Sequence, residues 1–314
     1  MSLAIRPVRN DDYDQLAAIG SAALPGLPQT AEEMREEDAA PPPVKTRRWV
    51  AELDGRPVAT ASYFQSETRY HAQKFWMDAY VHPDCQGQGI GAALYDTVLA
   101  AVLPHQPVQL RTFTREDVPR AITFFERRGF VEGKRTWVSS LDLEQVDLAP
   151  FAHTPPAVAG QGIAIGPLSA LQGEAGWEQT LLDLYNALQA DIPDIDPAVA
   201  MSLETFQQSH IGSQKFMPDA YLIARDGDRW VGMSSLWKGS EPGQMAIGVT
   251  GVLPAYRGRG IAMALKVRGI EWARQMGWKR MTTMNASTNQ PILAMNERLG
   301  FVREPAWLHL IRTF

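Results

Sequence analysis

With 314 residues, 45% of them hydrophobic and 21% charged, the chain has the make-up of a globular protein long enough for two domains, each with its own core. A formal net charge of −5 argues against a general nucleic-acid binder, because phosphate contacts need clustered positive charge. The single cysteine, Cys85, excludes an internal disulfide framework and fits a reducing compartment.

The opening stretch, MSLAIRPVRNDDYDQLAAI, reads as a short apolar strand, a turn and an amphipathic helix. It lacks the apolar core and cleavage pattern of a signal peptide, and no stretch approaches the roughly 18 apolar residues that span a bilayer. A cytoplasmic location with no membrane partner is therefore expected. The acidic run EEMREED (32–38) and the prolines 41–43 read as a solvated helix end and a stiff loop. Alternating apolar residues around Asp54-Gly55 predict a hairpin. A strand ending in YVHP (80–83) then meets QGQGIGAALY (86–95), where glycines hand over to a helix, and RRGF (127–130) follows.

The series then repeats. DLEQVDLAPFAHTPPAVAGQG (142–162) is rich in Pro, Ala and Gly between two patterned regions and reads as a joint. Beyond it come another strand and helix, a hairpin at Asp226-Gly227, then GVLP (251–254), RGRGIAMALK (257–266) and RLGF (298–301). Three landmarks keep a constant separation of 171 residues: 80 to 251, 86 to 257 and 130 to 301. Such agreement indicates a duplication. The expected domains are 1–145 and 161–314, with a linker at 146–160. Each copy reads as strand, helix, antiparallel strands, glycine turn, helix, strand, helix, strand. That is an α/β fold with a mixed, mostly antiparallel sheet flanked by helices.

Pro254 closes an apolar strand, and Ile261, Leu265, Trp272 and Met276 share one helical face that Gly277 caps. AYRGRG is thus a strand-to-helix turn whose N–H groups, with the helix dipole, suit a phosphate. Glycine removes the Cβ that would keep a diphosphate away, and Arg257 and Arg259 can add charge-assisted hydrogen bonds. No Lys-Ser/Thr pair follows, and the spacing is not the dinucleotide G-x-G-x-x-G, so both rival phosphate loops fail. A merely tight turn is the alternative; its recurrence among the same landmarks favours the diphosphate.

Arg257-x-x-Gly260-x-Ala262 and Gln86-x-x-Gly89-x-Gly91 resemble the Arg/Gln-x-x-Gly-x-Gly/Ala signature of the GNAT superfamily of N-acetyltransferases. NQPILAMNERLGF (289–301) is similar to that family's second cofactor segment. The resemblance spans nearly the whole chain as two copies. It implies acetyl-coenzyme A as cosubstrate, bound by the main chain of Arg257, Gly258, Arg259, Gly260, Ile261 and Ala262. In the first copy the matching residues are Gln86, Gly87, Gln88, Gly89, Ile90 and Gly91. The pantetheine arm would run between two splayed strands, and N–H groups near Val252 would polarise the thioester carbonyl during direct transfer to an amine. No metal is implied.

The family commonly has a Tyr acid seven residues after the helix-opening Asn. Counting from Asn289, that position is Asn296; in the first copy it is Phe125, with Val118 in place of the Asn. Neither can be a phenol, although a thiol of pKa about 8.5 leaves with little help. Asn296 could still hydrogen-bond the thiolate and is the one catalytic candidate. Asn289 reads equally as a helix cap and a cofactor contact, while Asp117-Val118-Pro119 caps in the first copy. With Arg257 and Asn289 both present, the second copy is the one expected to be active, and the first is read as partly degenerate.

For a general base, the strand before the turn offers Asp78 in the first copy and only Thr250 in the second. Asp191, Asp194, Asp196, Glu204 and His210 are further candidates in the second copy, beside a water relay. His82 reads as a strand-end surface residue, Cys85 as a packed or loop-lining thiol, and Trp272, Trp278 and Trp307 as core. The expected function is acetylation of a small-molecule amine. Two alternatives stand: a non-catalytic acyl-coenzyme A-binding module, favoured by the missing Tyr, and a tRNA-dependent aminoacyl transferase, which the acidic balance disfavours.

Overall fold

The computed structural model describes residues 2–24, 29–40, 42–66, 69–239 and 241–314. Pro41, the first of the three prolines read as a stiff loop, lies outside them. The chain divides into two compact units, Met1–Gly133 with Leu308–Phe314, and Lys134–Trp307. Each therefore takes a strand from the other half of the sequence, which the expected boundaries at 145 and 161 do not contain.

In chain order the first half runs β1 (Leu3–Pro7), α1 (Tyr13–Ala23), α2 (Ala31–Asp38), β2 (Arg47–Leu53), β3 (Arg56–Phe64), β4 (Lys74–Val81), α3 (Ile90–Val102), β5 (Gln109–Arg115), α4 (Pro119–Glu126) and β6 (Val131–Asp142). The second half follows with α5 (Thr154–Ala159), β7 (Ile163–Pro167), α6 (Trp177–Gln189), α7 (Leu203–Phe206), β8 (Tyr221–Asp226), β9 (Arg229–Lys238) and β10 (Gln244–Val252). It ends with α8 (Ile261–Gln275), β11 (Arg280–Ala286), α9 (Gln290–Arg298), β12 (Val302–Arg303) and β13 (Trp307–Thr313).

Within the first unit the strands lie in the order β1-β2-β3-β4-β5-β13. β1 with β2, β2 with β3 and β3 with β4 pair antiparallel, and β4 with β5 parallel. The second unit repeats this as β7-β8-β9-β10-β11-β6, with β10 and β11 parallel and β12 on β6. The fold is the mixed, mostly antiparallel α/β architecture expected.

Local chemistry accounts for the elements. Leu53 pairs with Arg56 across a two-residue turn in which Asp54 and Gly55 both have positive φ, as a type I′ turn requires. In the second hairpin Asp226 pairs with Arg229, so the turn residues are Gly227-Asp228; of these only Gly227 has positive φ, the II′ pattern. Helix α2 opens with a capping box: Thr30 Oγ1 accepts from Glu33 N–H at 3.1 Å, and Glu33 Oε2 accepts from Thr30 N–H at 2.8 Å.

The segment read as a linker, 146–160, is itself structured. Pro155 and Pro156 sit in the first turn of α5, where a missing N–H costs nothing. Val158 is buried among Ile163, Val252 and Ile261, and Phe151 joins the core of Leu141, Met245 and Phe301. Trp272 and Trp278 pack against that same core, and Trp307 is buried. Lys266, on the inner face of α8, is only 2% exposed. Its ammonium lies 5.3 Å from the centre of the Phe301 ring and has no hydrogen-bond partner among the described residues. Counting back 171 residues gives Tyr95 and Phe130, which make the matching edge-on contact in the first unit.

Candidate functional site

Both glycine turns have the same backbone. Gly87 and Gly89 have φ of 84° and 81°, Gly258 and Gly260 of 74° and 81°, and in each copy the second glycine is the left-handed N-cap of the following helix. Only glycine adopts this conformation freely, which explains why the spacing recurs. Gln86 Nε2 donates to the Val81 carbonyl at 3.1 Å, and Arg257 Nε donates to the Val252 carbonyl at 3.2 Å. The first residue of each signature thus fastens the turn to the end of the strand before it.

In both units the parallel strands part behind the turn. The β4–β5 pairing runs from Lys74↔Gln109 to Trp76↔Arg111, yet β4 continues to Val81 and β5 to Arg115. The β10–β11 pairing likewise stops at Ile247↔Thr283. In the first unit this opening belongs to a cavity of about 420 Å³. It begins at the turn (Gln86, Gly87, Gly89, Ile90, Gly91), passes between Tyr80 and Val81 on one side and Thr112 to Thr114 on the other, and reaches Asp78. Phe124, Phe125 and Arg128 of the α4 region form part of its wall. The cleft is mostly apolar with a few convergent polar groups, the usual form of a small-molecule site.

Asp78 makes no hydrogen bond or ion pair among the described residues, and removal from water pushes its carboxyl up to about 7. The nearby Arg48 guanidinium opposes that rise and Glu37 adds to it. Arg48 is 4% exposed, on β2, and gives Nε to Asp38 Oδ2 at 2.8 Å and Nη2 to Glu37 Oε2 at 3.2 Å. Tyr13 donates to Asp38 Oδ2 at 2.9 Å. The acidic run thus has two faces: Glu32 and Glu36 point to solvent, while Glu37 and Asp38 turn toward a buried arginine. Burial also raises the Tyr80 phenol well above its ordinary range, with the charge of Asp78 adding to it, so this phenol stays protonated.

Sequence reasoning did not find Arg120. It lies in the first turn of α4, and its Nη2 is 3.2 Å from where a Cβ on Gly87 would stand. No carboxylate pairs with it among the described residues, so a free guanidinium stands against a turn whose own side chains, Gln86 and Gln88, are uncharged. Cys85 is half-buried and lines the cavity. His82 Nδ1 accepts from the Asp84 N–H at 3.4 Å, a turn-making role.

The second turn is engaged by its own unit. Arg257 pairs with Asp191. Arg259 Nε donates to Gln161 Oε1 at 3.0 Å, and Gln161 Nε2 returns a bond to the Arg259 carbonyl at 3.2 Å. Val158 approaches to 3.7 Å of a Cβ placed on Gly260. Val252 pairs with Gly232 in the sheet, Ile261 is buried in the core, and half-buried Ala262 packs beside it. Asn289 occupies the N-cap of α9 but makes no side-chain cap bond; Val118 does the same for α4, and Asp117 pairs with Arg115 at 2.7 Å instead of capping. Asn296 is 1% exposed, and its Nδ2 donates to Asn285 Oδ1 at 2.8 Å.

Among the other candidates, Asp194 pairs with Lys134 at 3.0 Å, and Glu204 lies exposed in the first turn of α7. His210 stacks on Phe206, and burial lowers its basicity. At the position 171 residues beyond Asp78 stands Val249, buried, so the second unit has an apolar side chain where the first has its carboxyl. Among the described residues no cluster of three or more His, Cys, Asp or Glu could hold a metal, and no helix is long and apolar enough to cross a membrane.

Known proteins fit this geometry. Residues 45–132 match the acetyltransferase (GNAT) domain model and residues 181–301 the acetyltransferase (GNAT) family model. The class is therefore that of the N-acetyltransferases, which take an acyl group from coenzyme A and pass it to an amine. The two matches together cover more than half of the chain, and it belongs to the GNAT acetyltransferase family, with two GNAT domains. Similar curated proteins include the mycothiol acetyltransferase of Nocardioides sp., 25% identical over 236 residues, which covers 70% of this chain and 74% of that protein. That of Thermobifida fusca is 26% identical over 236 residues, 70% of this chain and 69% of its own.

Among solved structures, a tandem GNAT protein from the clavulanic acid biosynthesis pathway superposes with a TM-score of 0.75 and 20% identity. It covers 99% of this chain and 98% of its own. A GCN5-related N-acetyltransferase from Sphaerobacter thermophilus gives 0.73 and 18%, covering 99% and 95%. At such identity these two speak for the fold alone.

Proposed function

We propose that the first unit is the transferase and that it acetylates a small-molecule amine by direct attack on the thioester of acetyl-coenzyme A. The observation that carries this is a single cavity joining the glycine turn, the gap between β4 and β5, and Asp78. The expectation from sequence favoured the second copy, on Arg257 and Asn289. Arg257 is instead occupied by Asp191, and no carboxyl stands on β10 at the place of Asp78.

The amides of residues 86–91 and the free Arg120 guanidinium hold the diphosphate. The walls of the gap, Tyr80 and Val81 against Thr112 to Thr114, keep the thioester arm extended and exclude water. Asp78 takes the proton from the acceptor ammonium, and a carboxyl near 7 is suited to that task at neutral pH. The amine nitrogen then bonds to the acyl carbon and the carbon–sulfur bond breaks. Phe125 supplies no proton to the departing sulfur; an ordinary thiol acidity of about 8.5 lets it leave as the thiolate, which takes through water the second proton that the amine nitrogen sheds on becoming an amide. The second unit keeps the backbone of the turn and acts as a non-catalytic copy.

Paired substitutions test the assignment. Gly89→Glu, which fills the first turn with a side chain and a negative charge, is expected to abolish acetyl-coenzyme A binding by calorimetry and all turnover. Gly260→Glu is expected to leave both within about twofold. The opposite pattern would place the active centre in the second unit and end this reading.

A further inference from the structure

We propose that Arg48 is a positioning residue for the transfer: locked to α2, it stands two strands from Asp78 and holds that carboxyl in its proton-accepting form without touching the substrate. This rests on Asp78 of the first unit being the base. Arg48 on β2 pairs with Ser62 on β3, and Ser62 pairs with Asp78 on β4. Side chains of directly paired residues share a face, so the three form one row across the sheet. The Ser62 hydroxyl between them is buried and has no hydrogen-bond partner among the described residues, so it is bonded to neither end of the row.

The cation is held back from the carboxyl. Its Nε donates to Asp38 Oδ2 and its Nη2 to Glu37 Oε2, and Tyr13 of α1 donates to the same Asp38 oxygen. A direct ion pair would pull Asp78 back toward the ordinary carboxylate range and spoil it as a base near neutrality. Burial with no cation nearby would leave it protonated there. A guanidinium fixed two strand spacings away, about 10 Å, lies between these limits. The other ionisable neighbours do not supply this charge. Glu37 acts with the opposite sign, and the Tyr80 phenol stays protonated. Across the gap β5 presents Thr112 and Thr114, while Arg111 gives Nε to Gln109 Oε1 at 3.0 Å. On α4, Arg120 stands at the glycine turn; beyond its end, Arg128 lies 3.7 Å over the Phe124 ring. The second unit supports the coupling. Its corresponding row is Tyr221, Ser235 and Val249: Tyr221 pairs with Ser235, whose Oγ accepts from the Val249 N–H at 2.9 Å. Where the carboxyl is missing from the row, so is the cation.

The experiment titrates Asp78 itself by NMR, in the full-length chain with its aspartate carboxyls labelled with carbon-13, and Asp78→Asn identifies the signal. The double change Arg48→Met, Asp38→Asn takes out the cation and its buried partner together, so that contact leaves no lone carboxylate. The Asp78 midpoint is then expected about one pH unit higher, the effect of a unit charge about 10 Å off at an effective dielectric of about 20. With glycinamide and benzylamine as probe acceptors, kcat at pH 7 should fall about fivefold and recover by pH 9, because only the ionised form accepts a proton. Arg48→Lys keeps the charge and should hold the midpoint within about 0.3 pH unit. Glu37→Gln, at an exposed residue, leaves Arg48 less neutralised and should lower the midpoint by at least about 0.3 pH unit. A midpoint that the double change leaves in place, or turnover that falls equally at pH 7 and pH 9, overturns the proposal even where Asp78→Asn removes transfer. If the double change does not fold, an unmoved midpoint in Glu37→Gln overturns it. Transfer that survives Asp78→Asn points instead to failure of the underlying assignment.

Discussion

Asp78 and Lys266 are both ionisable groups whose charge is penalised by burial, one in a cavity and one in a core. For Asp78, the proposed base, the outcome is a carboxyl pushed up to about 7. Activity is expected to rise with pH through about 7, because only the ionised form accepts a proton. Asp78→Asn should remove that limb and lower kcat by about 10²–10⁴-fold while acetyl-coenzyme A affinity stays unchanged. A pH–rate profile alongside a binding titration checks both. For Lys266 the sign is different, and the consequence falls on stability. Its folded value is lowered to about 7, whereas the unfolded chain keeps the ordinary 10.5, so between those values only the unfolded state holds the proton. Stability of the second unit should therefore climb as pH rises from 7 toward 10, by as much as about 4 kcal/mol. Lys266→Met, of similar length and apolar, should raise the urea midpoint at pH 7 and flatten its pH dependence. Tyr95, the equivalent residue of the first unit, avoids this cost because its hydroxyl accepts from Arg312.

At the level of elements, what the sequence made legible was whatever depended on local backbone geometry. The glycine turns were readable because positive φ at Gly87, Gly89, Gly258 and Gly260 leaves few other residue choices, and the hairpins because Asp-Gly pairs mark them. The short helix inside the expected linker was not legible because proline reads as a breaker, whereas two prolines in a first helical turn are harmless and Val158 had apolar neighbours to reach. The site was only partly legible. Asp78 was visible as a carboxyl on the right strand. What raises its pKa is first the depth of a cleft that no spacing encodes, with Glu37 adding to the rise and Arg48 opposing it, both thirty or more residues away in sequence. Arg257 and Arg259 had the chemistry of a phosphate site, but Asp191 and Gln161, far off in sequence, had already engaged them. Composition announces a charge; only the fold says whether it is free.

For the molecule as a whole, the duplication at 171 residues was clear in the sequence, but the ownership of the last strands was not. Segment 131–142 is a largely polar strand and 307–313 a more apolar one, and nothing in either names its neighbour. The compact units nevertheless assign 308–314 to the first unit and 134–142 to the second. Deleting residues 308–314 should therefore harm the half that does not contain the cut in sequence. It removes Leu308 and Leu310 from the first unit's core and strips β13 from the edge of β5. Turnover assigned to Asp78 is expected to fall at least about tenfold, with the first unit's thermal transition lowered by several degrees, as loss of two buried leucines implies. Calorimetry of the shortened chain, read unit by unit, checks it.

The borrowed strand also sets a timetable. A ribosome finishes β5 about 190 residues before it reaches β13, an interval of roughly 10–40 seconds at ~5–20 residues per second. Through that interval the nascent amino-terminal half has a bare sheet edge and an unfilled core. The cavity proposed for chemistry is lined by residues between Ala23 and Arg128, yet the core that supports it waits for Leu308 and Leu310. A chain that stops short of β13 would carry that cleft on an unfinished core.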